Sequence, residues 1–446
     1  MPIRKRYSLS VFALIVLMST TTLALDRQPN SDYRARRMAL ASRTKGAVVL
    51  MFAATESEGS LHGFRQDNNF FYLSGWAEPG AALVIAPEVA ATPEHPARPY
   101  TEILFLPAHN VSQEKWTGPT LGPENSRASE IAGFARVEVL DKLRDELVKV
   151  LPQPRALVLT DLAEAGENSP ATIPLEWLRR ANTFPNYGSV QDVKALLAEM
   201  RAVKDAGEQE RIRKATEASK AAHLAALKAI KPGVTELQIS GLMQYEFMKR
   251  GCERPAYAPI VGSGINSTVL HYADNSKTID DGDLVVMDVA GEYSMYASDI
   301  TRTAPANGKF TPRQREIYDI VLGAQRAVMD AFVAGKSVLT GNSPESLYKT
   351  AYDYINTHGK DLHGQPLGKY FIHGLGHNVG LEVHDPGRGP LSTGMVFTIE
   401  PGIYIPEEKL GVRIENIVLV GPDGKLVNLT ADLPHTADEI EAAMER

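Results

Sequence analysis

Five residues with metal-ligand side chains follow one another in the C-terminal half of the chain. They are four carboxylates and one imidazole, namely Asp288, Asp299, His377, Glu400 and Glu415. Such a set can hold two divalent cations a few ångströms apart, and a pair of cations can turn a bridging water into a hydroxide at neutral pH. Because the set contains one histidine and no thiolate, it favours manganese, zinc or cobalt over a cysteine-bound zinc ion. We therefore expect a carboxylate-rich metal centre.

Two predicted strands bring the aspartates together. The segments DLVVMDVA and MYASDITRTA are typical of strands joined around Tyr293 and Ser294, which places Asp288 directly opposite Asp299 on one face of the hairpin. Opposed carboxylates repel each other unless a cation or a proton lies between them. The alternative is an exposed hairpin with solvated aspartates, which the apolar run before Asp288 disfavours.

The two glutamates lie in or beside apolar segments. Glu400 follows MVFTI and precedes a Pro-Gly turn, and Glu415 lies in GVRIENIVLV, which has the alternation of a strand. In that strand Arg413 shares the face of Glu415, where it can neutralise an acid or bind a substrate carboxylate. A single glutamate is more often a solvated charge, but the apolar surroundings of both residues weaken that interpretation.

Histidines cluster beside these acids. His373, His377 and His384 occur in HGLGHNVGLEVHD, and His271 precedes the predicted hairpin. The spacing of His373 and His377 is that of a zinc-protease helix, but the sequence is not H-E-x-x-H and its glycines disfavour a helix. Closely spaced glycines suit backbone that packs near a ligand. Spacing alone does not decide which of the two histidines binds metal.

The elements that position these residues fall into two predicted domains, since 446 residues are too many for one average domain. Residues 26–190 alternate helical patterns with short strands, which predicts an α/β domain, and residues 191–446 form the second. Within the first domain, DNNFFYLSGWAEPGAALVI predicts two strands separated by turns. Thr235 and Gln238 form a capping-box signal for a helix that begins in the second domain.

The N-terminus has the features of an export signal. A basic start (RKR) leads into the apolar run VFALIVLM, and Thr22 and Ala24 give a small-x-small cleavage site. The run is short for a membrane anchor, so we predict that residues 1–25 are a cleaved signal and that the protein is periplasmic or secreted. We find no other segment that would cross a bilayer.

Charge and cysteine content exclude other classes. The net charge of −7, with no basic run outside the N-terminus, disfavours nucleic acid as a partner. The single cysteine, Cys252, permits no internal disulfide. No base is evident beside it, so a buried thiol is favoured over a nucleophile.

Taken together, the motifs resemble those of the pita-bread metallopeptidases, and within them the Xaa-Pro aminopeptidases (aminopeptidase P) and prolidases. The resemblance rests on SDITRT, HGLGH, VHD, EPGIY and RIEN in the second domain, and on DNNFFYLSGWAEPGAALVI and LPAHNVSQEKWTG in the first. It implies an α/β two-domain chain in which a smaller N-terminal α/β domain precedes a C-terminal pita-bread catalytic domain (α+β, pseudo-two-fold).

The resemblance also implies a role for each ligand. Asp288 and Asp299 would bind one divalent ion, and Asp299 would also reach a second ion held by His377. Glu400 and Glu415 would complete the pair, which we expect to be manganese, with zinc or cobalt as alternatives. Glu400 would also serve as general base toward the bridging water.

Further residues would bind the substrate, by the same resemblance. His373 and His384 would contact it and stabilise the developing oxyanion. His271, Tyr404 and Arg413 would line the pocket on the proline side.

Two positions bear on the surroundings of the site. The resemblance implies a homo-oligomer, a dimer or a tetramer, in which Trp116 would bind substrate at a neighbouring subunit's site. Asn378 stands where these peptidases often have a bulky aromatic residue, which would alter the shape of the pocket.

We therefore expect an exported, dinuclear-metal Xaa-Pro aminopeptidase acting on peptides with proline at the second position. The nearest alternative is a prolidase restricted to Xaa-Pro dipeptides. Another alternative is a peptidase-like binding module without catalysis, which the presence of all five ligand types disfavours.

Overall fold

The computed structural model describes residues 25–55, 63–93, 96–151, 156–162, 172–183 and 187–445. Residues 1–24 of the predicted export signal lie outside this range. Within the described residues, every helix is too short or too polar to span a bilayer.

The N-terminal part is built on a six-stranded sheet of order β4-β3-β2-β1-β5-β6. Strands β1, β2 and β3 pair antiparallel, whereas β4, β5 and β6 each join the sheet in parallel. Its elements are α1 (Asn30–Arg43), β1 (Val48–Phe52), α2 (Asn68–Ser74), β2 (Ala82–Ala86), β3 (Thr101–Leu106), α3 (Val111–Thr117), α4 (Ala128–Ala132), β4 (Arg136–Val139), α5 (Leu143–Val150), β5 (Ala156–Thr160), α6 (Thr172–Arg180) and β6 (Tyr187–Asp192).

This sheet is buried on both faces, which explains why its central strands are almost continuously apolar. In β1, Val48 and Leu50 face a core that includes Leu143 of α5. Val49 and Met51 face the opposite core, which extends into the C-terminal part of the chain. The second core therefore joins the two parts of the molecule.

Helix α2 replaces one of the strands predicted for this region. The side chain of Asp67 accepts a hydrogen bond from the backbone N–H of Phe70, and Gly75 ends the helix in the left-handed conformation with φ 61°. Caps at both ends stabilise a helix over the segment NNFFYLS despite the strand preference of its aromatic residues. The prediction of a strand here is wrong because the capping residues outweigh that preference.

The C-terminal part combines small sheets with an outer set of helices. Its sheets have the orders β11-β10-β7, β12-β9-β8 and β13-β16-β17, with a further pair β14-β15. Its elements are α7 (Lys194–Ala202), α8 (Ala206–Ala229), α9 (Glu236–Met248), β7 (Arg254–Pro255), β8 (Ile260–Ser263), β9 (Leu284–Asp288), β10 (Gly291–Tyr293), β11 (Tyr296–Ala297), β12 (Thr301–Pro305), α10 (Pro312–Ala331), α11 (Leu347–His358), β13 (Val396–Ile399), β14 (Gly402–Ile405), β15 (Leu410–Arg413), β16 (Asn416–Val420), β17 (Leu426–Asn428) and α12 (Ala437–Met444).

Two local predictions for this part are confirmed. Thr235 and Gln238 form the expected capping box of α9. Cys252 is buried, and burial raises the pKa of its thiol to about 12. The thiol is therefore protonated at neutral pH and unsuited to nucleophilic attack.

A buried ion network ties the two parts together close to His384. The next residue, Asp385, accepts hydrogen bonds from Arg201 at 2.6 Å and from Lys204 at 2.9 Å. Arg201 also donates to the side chain of Asn69 on α2, at 2.7 Å. The network therefore links the N-terminal helix α2, the helix α7 and the segment that carries His384.

Replacing the acid of this network tests its contribution to folding. We expect Asp385→Asn to lower the free energy of unfolding by roughly 3–5 kcal/mol, because the buried Lys204 would lose its ion-pair partner and the buried Arg201 would keep only the exposed Glu382. The matched control is Asp353→Asn, which removes an exposed partner of Lys349 on α11 and should change stability by less than about 0.5 kcal/mol. Chemical denaturation measures both, and equal effects would contradict the assignment.

Candidate metal centre

All four predicted carboxylate ligands lie where a strand ends or where the chain passes from one sheet to another. Asp288 is the last residue of β9, and Asp299 lies between β11 and β12. Glu400 separates β13 from β14, and Glu415 separates β15 from β16. Together with His377 they line one cavity of about 450 Å³. The structure thus brings all five predicted metal-ligand residues to one place.

The aspartate hairpin differs from its predicted register. Its turn is centred on Ser294 and Met295, which both have positive φ, at 49° and 74°. This geometry suits a two-residue hairpin turn. As a result Asp288 pairs with Thr301, and Asp299 lies two residues before that partner. The predicted direct opposition is wrong, but both aspartates still reach the cavity.

The predicted strand through Glu415 is divided in two. Strand β15 ends at Arg413 and pairs with β14, whereas β16 pairs with β13 and β17. At the break the backbone N–H of Glu415 donates to the carbonyl of Thr301, at 3.1 Å. Arg413, the last residue of β15, and Glu415, two residues later, both lie on the cavity wall.

His377 lies at the centre of the acidic group. Its Nε2 is 3.4 Å from Oδ2 of Asp299 and 3.3 Å from Oε1 of Glu400. Asp299, His377 and Glu415 each offer a ligand atom, and these atoms lie within 4.8 Å of one another. The nearest approach of His373 to Glu400 is longer, at 3.9 Å from Nδ1 to Oε2. The geometry therefore favours His377 over His373 as the ligand, a choice that spacing left open.

A glycine allows this placement of His377. The segment before it packs on the end of β13, where the N–H of Thr398 donates to the carbonyl of His377 at 2.9 Å. A Cβ atom on Gly376 would lie 2.1 Å from the carbonyl oxygen of Thr398. Only glycine fits this close approach of two backbone segments.

A chain of hydrogen bonds links Asp288 to His373. Arg413 donates to Oδ2 of Asp288 at 2.6 Å and to the hydroxyl of Tyr404 at 2.8 Å. The same hydroxyl lies 2.9 Å from Nε2 of His373. Tyr404 is only 2% exposed and is not among the lining residues. The structure corrects the prediction for Tyr404, which supports Arg413 and His373 from behind instead of lining the pocket.

The protonation behaviour of the site reflects crowded negative charge. Burial raises the pKa of Asp288 to about 6, against the opposing effect of Arg413, and Asp299 adds to the rise. Burial and the neighbouring carboxylates raise the pKa of Glu415 well above its usual range. Burial lowers the pKa of His377, but its hydrogen bonds to Asp299 and Glu400 outweigh this and raise the pKa to about 11. The protein alone therefore disfavours full ionisation of its buried acids.

A divalent cation fits these residues. Oδ1 of Asp288 is buried without a hydrogen bond of ordinary geometry, and the nearby buried hydroxyl of Tyr257 interacts with this same carboxylate. Unpaired buried oxygens are costly, and positive charge would relieve both this cost and the repulsion among the acids. The oxygen-rich donor set with one imidazole is the kind that manganese, zinc and cobalt accept.

Sequence reasoning missed three residues of the site. Tyr257 lines the cavity beside Asp288, and no pattern in the sequence marks it. Thr301 donates to Oε2 of Glu415 at 2.7 Å, and Thr398 donates to Oε1 of Glu400 at 3.1 Å. Thr398 precedes Glu400 by two residues, so strand alternation could have indicated that supporting hydroxyl.

The remaining predicted histidines line the cavity, whereas two other residues lie away from it. His271 and His384 are on its wall, and the ring of His384 is 4.1 Å from that of His377. Trp116 on α3 is 87% exposed and is not among the lining residues, so its role in a neighbouring subunit's site stays a prediction. The backbone of Asn378 pairs with Asp385, and its side chain lies beside Gly387.

The position of Asn378 corrects the expectation that it shapes the pocket. The residue is 8% exposed and does not line the cavity. Its side chain lies beside Gly387, three residues after His384.

Known proteins match this chain over nearly its whole length. The sequence profile of the aminopeptidase P N-terminal domain matches residues 33–158, and that of metallopeptidase family M24 matches residues 210–422. These ranges leave the domain boundary at residue 190 a prediction. The Xaa-Pro aminopeptidase of Escherichia coli is 34% identical over an alignment of 440 positions, which covers 93% of this chain and 97% of that protein. The human Xaa-Pro dipeptidase is 31% identical, over 90% of this chain and 89% of that protein.

Solved structures show the same similarity. Aminopeptidase P from Escherichia coli with the inhibitor Pro-Leu superposes with a TM-score of 0.80 at 31% identity, covering 94% of this chain and 98% of that one. Architecture, sequence and the acidic cavity agree. The chain therefore belongs to metallopeptidase family M24, as a metallo-aminopeptidase with an aminopeptidase P-type N-terminal domain and a C-terminal pita-bread domain.

Proposed function

We propose that this protein is an exported Xaa-Pro aminopeptidase that uses two divalent metal ions to release an N-terminal residue preceding proline. The observation that carries the proposal is the convergence of five metal-ligand residues in one cavity whose walls also bear His271, His373 and His384. The similarity to Xaa-Pro aminopeptidases over 93% of the chain supports the substrate class.

The five ligand residues would hold the two ions between them. Asp288 and Asp299 would bind one ion, Asp299 would also reach the second, and His377, Glu400 and Glu415 would complete the set. Manganese is the ion we expect first, with zinc or cobalt as alternatives. When bound, such ions act as Lewis acids and supply hydroxide from water at neutral pH.

The side chains around the ions would accept the proton, stabilise the oxyanion and contact the substrate. Glu400 would accept the proton of the attacking water, and its carboxylate is oriented for this by Thr398. His373 would stabilise the developing oxyanion. For this it would exchange one of its two present contacts, from Nδ1 to the carbonyl of Gly374 at 2.8 Å or from Nε2 to the hydroxyl of Tyr404 at 2.9 Å. His384 lies on the same cavity wall, where it would contact the substrate carbonyl.

Recognition of proline must come from shape and not from the scissile amide. An Xaa-Pro bond has no N–H that a peptidase could bind, and the proline ring fixes its own φ. The cavity offers apolar side chains for the ring, among them Ile260, Leu270 and Val383. His271 and Arg413 lie on the wall beside them and would complete the proline-side pocket.

The length of the peptides that are cleaved distinguishes an Xaa-Pro aminopeptidase from a prolidase. We expect a tripeptide Xaa-Pro-Xaa to be cleaved after its first residue, with a kcat/KM about 10- to 200-fold above that of the matched Xaa-Ala-Xaa peptide, which is the range of discrimination that an apolar pocket supplies. The Xaa-Pro dipeptide is the comparison substrate. Cleavage of the dipeptide alone would show a prolidase, to which the human dipeptidase relative already points as the second candidate.

Metal removal and one ligand variant test the dinuclear site. Chelation should abolish activity and lower Tm, because an ion that binds only the folded state stabilises it; manganese, zinc or cobalt should then restore both. We expect two ions per chain by elemental analysis. Asp288→Ala should reduce that number and lower kcat/KM by about 100-fold or more, whereas the control Asp353→Ala, an exposed acid on α11, should change neither. Full metal content in the Asp288 variant would refute the ligand assignment.

The export proposal rests on the N-terminal sequence and on the residues that follow it. Asp26 lies two residues after Ala24 and contacts Arg211 at 3.0 Å and Lys214 at 2.7 Å. A chain that begins at Asp26 would keep these side-chain contacts with the catalytic domain.

N-terminal sequencing of the protein produced in a bacterial host tests this proposal. We expect the mature chain to begin at Asp26 and to be found outside the cytoplasm. A charge in the apolar run, as in Leu14→Arg, should block translocation and leave residues 1–25 attached. An intact N-terminus on exported wild-type protein would instead show that the segment is retained as an anchor.

A further inference from the structure

One carboxylate outside the metal centre is completely buried and fully bonded. Glu236, the first residue of α9, accepts five hydrogen bonds on its two oxygens. Oε1 accepts from the backbone N–H and the hydroxyl of Ser263, at 2.7 and 2.8 Å, and from the amide of Asn266 at 3.2 Å. Oε2 accepts from the hydroxyl of Tyr272 at 2.9 Å and from the N–H of Lys277 at 2.8 Å. All these donors flank or belong to the connection between β8 and β9.

This connection, residues 264–283, forms one side of the cavity and is called here the β8–β9 loop. Leu270, His271 and Ala273 of the loop line the cavity. His373 and His384 line the same cavity as His271. The loop therefore carries a substrate-facing wall of the site.

Glu236 joins the two ends of this wall. Its donors Ser263 and Asn266 precede His271, and its donors Tyr272 and Lys277 follow it. Between them the loop turns outward, so that Val269 is 52% exposed.

Two further anchors hold the same loop. Asn275 accepts from the N–H of Val261 at 2.8 Å and donates to the carbonyl of Pro259 at 2.9 Å. The hydroxyl of Ser267 accepts from the N–H of Gly411, on the strand that ends at Arg413, at 2.8 Å. Each of these two residues holds the loop at one position only, whereas Glu236 binds residues that precede and residues that follow His271.

The chemistry of these bonds requires a carboxylate. An ionised glutamate presents only acceptors, and all five partners are donors. A glutamine of the same shape would turn its NH2 group toward one set of donors and leave them without an acceptor. The fold therefore places a buried carboxylate at the N-terminus of α9, where its five hydrogen bonds all hold the β8–β9 loop or its flanks.

We propose that Glu236 is a positioning residue that fixes the β8–β9 loop and thereby sets the place of His271 at the substrate. The inference rests on the proposed function, since His271 is taken to contact the proline side of the peptide. Glu236 acts through the loop and touches neither substrate nor metal.

The test compares Glu236→Gln with Glu217→Gln, an exposed glutamate on α8 that pairs with Lys220. We expect Glu236→Gln to lower kcat/KM for an Xaa-Pro-Xaa peptide roughly 10- to 100-fold, since small displacements of a positioning group have effects of this size. The loss should fall mainly on KM, with metal content per chain unchanged. Hydrogen exchange should quicken in residues 264–277 and stay as in the wild type elsewhere. The control should match the wild type.

A double-mutant cycle with His271→Ala separates positioning from general destabilisation. If Glu236 acts through His271, adding Glu236→Gln to His271→Ala should cause little further loss of kcat/KM. Fully additive losses, or a lower Tm with unchanged kinetics, would overturn the proposal.

A milder substitution covers the case in which Glu236→Gln does not fold. Tyr272→Phe removes one of the five hydrogen bonds, and Tyr245→Phe, an exposed tyrosine on α9, is its control. A smaller rise of KM in Tyr272→Phe alone is the expected result, and equal kinetics in the two variants would contradict the role of the loop. A metal-loaded wild type that cleaves no Xaa-Pro peptide would refute the proposed function instead, and the exchange data would then decide whether Glu236 holds the loop.

Discussion

The repulsion among buried carboxylates is the constraint on which the rest of this structure depends. Asp299 and Glu415 are 5% and 1% exposed, and Asp288 and Glu400 lie beside them on one cavity wall. An arrangement of this kind is unfavourable by itself, since desolvation and like charge both oppose ionisation. The fold must therefore hold the acids in place by contacts that do not depend on the acids attracting one another.

Two kinds of contact do this. The first is the position of each acid at the end of a strand or between two strands of different sheets. At these positions the backbone directs the acidic side chains into the cavity. Neutral or cationic donors then orient the carboxylates, as Thr301 does for Glu415 and Arg413 does for Asp288. Arg302 adds support from the backbone, where it donates to the carbonyl of Glu415 at 2.6 Å. Rigid positioning of this kind keeps the ligands ready for a cation and leaves the sheet structure undisturbed.

The sequence indicated the ligands more reliably than it indicated the elements that carry them. Apolar runs marked Asp288, Glu400 and Glu415, and the predicted hairpin indicated Asp299. Strand alternation indicated Arg413, and close spacing indicated the histidine cluster. The register of the hairpin was wrong because the turn is made by Ser294 and Met295 with positive φ, which residues of these types rarely adopt. The strand through Glu415 was predicted as continuous because alternation cannot show that its two halves join different sheets. Tertiary partners such as Tyr257 carry no local signal at all.

The N-terminal domain also helps to hold the buried acids in place. Met295 and Tyr296, at the tip of the aspartate hairpin, pack in the core that they share with the N-terminal sheet. Glu292 on β10 of that hairpin accepts hydrogen bonds from Arg65 of the N-terminal domain, at 2.8 and 3.0 Å. The hairpin tip is thus fixed from outside the catalytic domain, while its base presents Asp288 and Asp299 to the cavity. A displacement of the hairpin tip would therefore move Asp288 and Asp299 at its base. The geometry of the candidate metal centre thus depends on a domain whose described residues do not line the cavity.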